Sequence, residues 1–242
     1  MTAPVALITG AGRSLGLGFE TARQLAAGGM QVILTARDPA AAAARAQELS
    51  DQGLAVTGLG LDVTDPASVA AMAAAVAAAP GRLDVLINNA ATTGPFGEKA
   101  ADADLDSARG VVESILFGSW AVTKALLPLL SQSPAPRIVN VSSGAGSHAD
   151  LAFGLHRDNA VIGASYGVAK AALNALTVKL AMEHPAMRIN AVCPGFTATF
   201  EGGEAMGARP VSEGAAGIVW AARLPDDGAT AGFFRDGQPL GW

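Results

Sequence analysis

Val5-Ala6-Leu7-Ile8-Thr9-Gly10-Ala11-Gly12-Arg13-Ser14-Leu15-Gly16-Leu17-Gly18 decides the reading of the chain, together with the Phe19-Glu20-Thr21-Ala22-Arg23-Gln24-Leu25-Ala26 that follows it. A short apolar run bounded by glycines reads as a buried parallel strand, and the residues after Gly18 read as a helix. Strand, glycine-rich turn and helix in that order form a phosphate cradle. The glycines let backbone N–H groups approach a pyrophosphate at the helix N-terminus. The carboxyl end of the first strand is therefore the place to look for a ligand.

The same alternation continues outward. A second strand, residues 31–35, ends in Ala36-Arg37-Asp38. An acid at that strand end would hold a ribose 2′-hydroxyl, whereas arginine neutralises a 2′-phosphate, so Arg37 with Arg13 predicts NADPH rather than NADH. A helix over 39–50 and a strand over 54–59 lead to Leu61-Asp62-Val63-Thr64-Asp65-Pro66. Thr64 or Asp65 caps the next helix, with Pro66 in its first turn. Asp62 either accepts a hydrogen bond from an adenine amino group or ends a turn.

Residues 84–91 read as a fourth strand ending in Asn88-Asn89-Ala90-Ala91, small enough to leave room for a cofactor. A helical region over 105–130 and a fifth strand over 137–141 bring Ser142 and Ser143 to the same edge. A helix over 164–184, a sixth strand over 188–192, a Pro194-Gly195 turn, a last helix over 212–222 and a short strand at Phe233-Phe234 complete one α/β domain, 1–242. Residues 196–211 lack a period and read as a substrate loop that closes as a lid.

Tyr166, the only tyrosine, stands four residues before Lys170 at the start of a helix, so the two share a face. A free phenol titrates near pH ~10, and a neighbouring ammonium is expected to lower that value and make Tyr166 a general acid or base for a carbonyl oxygen. Ser143 is placed to polarise the same oxygen.

Composition narrows the alternatives. A net charge of -5 gives no basic footprint for nucleic acid. One cysteine, Cys193, and the scattered His148, His156 and His184 predict no metal site and no internal disulfide. The alanine-rich stretches read as amphipathic helices, not membrane spans, and no basic segment leads into an apolar one at the N-terminus, so a cytoplasmic enzyme is expected. Phe96, Phe153, Phe196, Phe200 and Met206 fall in loops and suggest a small apolar or aromatic carbonyl substrate.

With these residues assembled, the chain resembles the short-chain dehydrogenase/reductase family, of the Rossmann type, along nearly its whole length. The ordered motifs are Thr9-Gly10 with its glycine turn, Asp62-Val63, Asn88-Asn89-Ala90, Ser143, Tyr166-x-x-x-Lys170, and Pro194-Gly195 with Thr199. Within the family, Thr35-Ala36-Arg37-Asp38 and the stretch from Gly232 to Trp242 look most like carbonyl reductases that use NADPH. The resemblance implies a doubly wound, mainly parallel, seven-stranded sheet between two layers of helices. It implies that Tyr166 protonates the carbonyl oxygen, Ser143 orients it, and Lys170 holds the nicotinamide ribose. Gly10, Arg13, Ser14, Leu15, Gly16, Arg37, Asp62, Val63, Asn89, Ala90, Ala91, Pro194, Gly195, Thr197 and Thr199 would complete the cofactor site.

Four positions differ from the family pattern. The glycine turn carries two extra residues between Gly10 and Gly16, Ala91 replaces a usual glycine, residues 148–163 form an extra segment, and Ile115 replaces a helix asparagine. Reduction of a C=N bond, with Tyr166 protonating nitrogen, is a related expectation. A nucleotide-binding protein of low activity is the rival from another class. Family members often pair through the helical regions 105–130 and 164–184, so a homo-oligomer is also expected.

Overall fold

A computed structural model describes residues 3–157 and 162–242. Among these the chain alternates strand and helix: β1 (Val5–Ile8), α1 (Leu17–Ala27), β2 (Gln31–Ala36), α2 (Pro39–Ser50), β3 (Val56–Gly60), α3 (Pro66–Ala78), β4 (Val85–Asn88) and α4 (Leu105–Val112). A π-helical turn, Glu113–Phe117, joins α4 to α5 (Gly118–Leu130). Then come β5 (Arg137–Val141), α6 (Ala164–Glu183), β6 (Arg188–Val192), α7 (Val211–Ala222), β7 (Phe233–Arg235) and β8 (Gln238–Pro239).

The strands form one sheet in the order β3-β2-β1-β4-β5-β6-β7-β8. The first seven are parallel, as expected for a Rossmann-type sheet. The two-residue β8 is antiparallel to β7 and adds an eighth strand. Its turn is Asp236-Gly237, with φ of 54° and 73°. Two left-handed residues in succession suit the right-handed twist of a hairpin, and Asp-Gly is a favoured pair for them.

Side chains alternate across β1. Ala6 and Ile8 join Ala22, Leu25, Leu49 and Ile218 under α1, α2 and α7. Val5 and Leu7 join Met72, Val122, Leu126 and Leu173 under α3, α5 and α6. Because strands buried on both faces read as continuous apolar runs, the three-layer fold was visible in the sequence. Residues Leu105–Leu130 are long and apolar enough to cross a membrane. Their buried apolar side chains, Val111, Ile115, Val122, Leu126 and Leu130, belong to the second core layer.

At the edge of the sheet opposite the glycine turn, Asp84 fastens three segments. It accepts from Val5 N–H at 2.8 Å, from Ser133 Oγ at 2.5 Å and from Arg82 Nε at 2.8 Å. Burial pushes its acid up, but the hydrogen bonds from Arg82, Ser133 and Val5 outweigh this and hold the carboxyl below the usual range. A carboxylate with a depressed folded value stabilises above its unfolded value, and that stability disappears as pH falls through the folded one. Asp84→Ala should therefore cost about 1–3 kcal/mol in denaturant unfolding at neutral pH, with the difference from the parent shrinking in acid.

Candidate active site

Reversal of strand order between β1 and β4 opens a crevice at the carboxyl edge of the sheet. The glycine turn forms one lip. Gly10 has φ 71°, and a Cβ there would lie 2.7 Å from Ala90 Cα. At Gly18 a Cβ would lie 2.6 Å from Asn89 Nδ2. Side chains at these positions would force the two lips apart, and α1 begins at Leu17 behind an N-terminal Gly16 that offers its N–H groups no side-chain cap. That is a fitting seat for a pyrophosphate.

Thr9 and Asn89 hold the crevice in shape. Thr9 Oγ1 accepts the N–H groups of Asn89 and Ala90 at 3.0 and 2.9 Å. Asn89 Nδ2 donates to the carbonyls of Thr9 and Gly10 at 2.8 and 3.1 Å. The side chain of Asn89 thus braces the glycine turn, with Ala90 packed against Gly10 and Ala91 exposed beyond it.

A cavity of about 450 Å³ on the far side of the turn is lined by Gly12, Arg13, Ser14, Leu15, Arg45 and Thr199. The two extra residues of the turn carry Arg13 towards α2, where Arg45 stands. Arg45 is a cation that the sequence reading passed over. Its Nη1 pairs with Glu48 at 2.7 Å, and the helical i, i+3 spacing of the two concealed it as an ordinary surface pair. Arg37 is exposed at the end of β2, and Asp38 caps α2 through Ala40 N–H at 2.9 Å.

Asp62 Oδ1 accepts from Thr64 N and Oγ1 at 2.9 and 2.7 Å, which shapes the turn after β3, with Val63 half-buried beside it. Asp65 caps α3 through Ala67 N–H. Thr197 is buried, its hydroxyl turned to the carbonyls of Pro194 and Gly195. The loop over 196–211 has some regular structure of its own. It contains a 3₁₀ turn, Glu204–Met206, and a bridge between Thr197 and Arg209. Arg209 binds Asp236 at 2.6 Å and anchors the loop to the β7–β8 turn.

The catalytic candidates meet at the end of β5. Ser143 caps the short turn Gly144–Gly146, its Oγ accepting Ala145 N–H at 3.2 Å. Lys170 is buried and donates to the Val141 carbonyl at 2.6 Å, with its ammonium 5.5 Å from the centre of the Tyr166 ring. Asn174, one turn further on, accepts from Ser142 Oγ at 2.5 Å and donates to Gly146 O at 3.1 Å. Tyr166, Lys170, Asn174 and Thr177 recur at helical spacing. That polar stripe was the signal by which Asn174 was detectable.

Electrostatics differ from the expectation. Burial pushes the Tyr166 phenol up to about 12, against the pull of the Ser143 hydroxyl, and pushes Lys170 down to about 8. Desolvation is the leading cause of both shifts, with Lys170 buried and Tyr166 packed, partly buried, against the core beside it. Ile115 is fully buried in the π turn. The extra segment is described over 148–157, and residues 158–161 lie outside the described part. Among the described residues, no three His, Cys, Asp or Glu side chains cluster as metal ligands.

The model of the short chain dehydrogenase family matches residues 4–206, and the chain belongs to that family. The chain is 33% identical to (+)-neomenthol dehydrogenase of Arabidopsis thaliana, over 95% of this chain and 94% of the relative. It is 34% identical to (-)-isopiperitenone reductase of Mentha piperita, over 97% of each. The NADPH-bound carbonyl reductase from chicken fatty liver superposes with a TM-score of 0.83 at 27% identity, over 100% of both chains.

The two perturbed groups give opposite signatures in stability. Between about pH 8 and 10.5 the unfolded chain keeps a proton that folded Lys170 has lost, so this group makes stability rise with pH. Between 10 and about 12 folded Tyr166 keeps a proton that the unfolded chain has lost, and stability falls. Lys170→Met should abolish the rise, and Tyr166→Phe should remove that part of the fall, in denaturant titrations across this range.

Proposed function

We propose that the chain is an NADPH-dependent carbonyl reductase that acts on a ketone or aldehyde and runs backwards as an alcohol dehydrogenase. The observation that carries the reading is the meeting of Ser143, Tyr166 and Lys170 beside the glycine cradle at one strand edge. NADPH, when bound, supplies the hydride. The chain's own residues supply position and a proton.

A phenol held at about 12 keeps its proton at neutral pH, the state a general acid needs when a carbonyl oxygen gains negative charge. Ser143, turned towards Tyr166, donates to the same oxygen and stabilises that charge. Lys170 at about 8 is mostly an ammonium at neutral pH, suited to hold ribose hydroxyls and to return a proton to Tyr166. Gly195 and Thr199 would seat the nicotinamide carboxamide.

Loops after β4, β5 and β6 present exposed Phe96, Leu151, Phe200 and Met206 on the same edge. Such a rim favours an apolar substrate. Its reading as a ketone site is separated from imine reduction by comparing turnover of aromatic ketones with that of cyclic imines. The face of α4 and α6 leaves Leu105, Phe117 and Val168 exposed around a groove of about 450 Å³, which supports pairing of two copies.

Tyr166→Phe should keep NADPH binding and lose about 10²- to 10⁴-fold in turnover, and Ser143→Ala about 10²-fold. Unchanged turnover in the Tyr166→Phe protein would move the acid role elsewhere. Arg13, Arg37 and Arg45 are read as the 2′-phosphate site. Arg37→Ala with Arg45→Ala should then weaken NADPH by at least about tenfold in fluorescence titration while leaving NADH nearly unaffected. Equal losses for both cofactors would place these arginines outside the phosphate site.

A further inference from the structure

Arg235 stands at the end of β7, yet its guanidinium reaches back to the turn that carries Ser143. Its Nη2 binds Asp150 Oδ2. Its Nε and Nη2 donate to Cys193 Sγ at 3.4 and 3.2 Å. The same sulfur accepts Gly144 N–H at 3.2 Å and Gly195 N–H at 3.4 Å. Asp150, with 2% of its side chain exposed, takes the N–H groups of Ala152 and Phe153 on its other oxygen at 2.8 and 3.0 Å. A Cβ at Gly144 would overlap the Asp150 carboxylate. The pair therefore bears directly on the residue after Ser143.

Stability alone is a poor explanation, because replacing a buried pair with packed apolar side chains is often neutral or favourable. What this pair does is connect three pieces of the site. Cys193 ties it to the Gly144 amide and to the Gly195 turn, and Asp150 ties it to the segment after Ser147. That segment is held again by Ser147 Oγ on Gly241 O at 2.6 Å and by His148 N–H on Trp242 O at 2.9 Å. The Ser143 hydroxyl accepts Ala145 N–H across the Gly144 residue, whose own N–H is on Cys193.

We infer that Arg235 and Asp150 are positioning residues: through Cys193 and the Gly144 amide they fix the turn that aims Ser143 at the substrate oxygen, and they hold 147–157 as a rigid wall of the substrate site. The inference rests on the reading of Ser143 as the group that orients a carbonyl.

Arg235→Leu and Cys193→Val should each lower kcat by about 10- to 100-fold, the scale of a misplaced catalytic group, with NADPH affinity changed by less than about twofold. Cys193→Ser keeps an acceptor for the Gly144 N–H and should restore most of kcat. In a Ser143→Ala background, Arg235→Leu should cost no more than about a further twofold. An equal loss with and without Ser143, or an unchanged kcat, overturns the inference. Arg235→Lys keeps the charge but loses the fork, so if Arg235→Leu fails to fold, a several-fold kcat loss at unchanged melting temperature serves as the same test. Amide exchange gives an arm independent of turnover: Arg235→Leu should expose Gly144, Ala152 and Phe153 to exchange, and full protection there refutes the device. If the parent protein reduces no carbonyl compound, the functional reading fails while the exchange result still decides whether the pair holds the turn.

Discussion

The tie between α6 and the end of β5 is the constraint on which the rest of the site depends. Lys170 reaches the Val141 carbonyl, and Asn174 grips Ser142 and Gly146. Two side chains of one helix turn the end of a central strand and the turn after it into a fixed platform. A buried ammonium is expensive to desolvate, and that cost is what pulls Lys170 down to about 8. The return is geometric, because Tyr166 on the helix and Ser143 on the turn cannot drift apart while these bonds hold.

Below the platform the polar bonding continues into the sheet. Asn140 donates to Thr177 at 2.8 Å, and Asn88 donates to Asn140 and Thr123 at 2.8 and 3.0 Å. These are fully buried groups in a layer otherwise made of leucine, valine and isoleucine. Hydrogen-bonded partners offset the desolvation of all but Asn88 Oδ1, and a misplaced strand would leave several more of these groups unpaired at once. The network thus favours a single register of β4, β5 and α6 beneath the reacting groups.

Much of this was legible in the chain itself. Continuous apolar runs, each followed by a helical stretch, defined the parallel sheet, and the glycine turn after β1 and the serines after β5 located its working edge. The eighth strand was missed because two residues give no period, although Asp236-Gly237 carried the turn signal. Cys193, Asp150, Arg235 and Arg45 were not legible as site residues. Each acts through a partner distant in sequence or hidden in an ordinary helical pair, and spacing along a chain does not report such meetings.

The lowered phenol pKa expected from the Tyr-x-x-x-Lys spacing shows why proximity and electrostatics are separate questions. Helical spacing correctly brought the two side chains together, but it carried no information about how dry their surroundings are. In the proposed reduction, with the phenol at about 12 and the ammonium at about 8, a Tyr166 that has given its proton to a substrate oxygen recovers one from Lys170 downhill. In that proposal Ile115 bears only on the later step, the return of a proton to Lys170. Its fully buried side chain can neither donate nor accept, so it cannot hold a water for Lys170. In the proposed reduction, refilling of Lys170 must therefore come through backbone groups or the open side of the crevice, and the chemistry at Tyr166 itself does not require the family's asparagine.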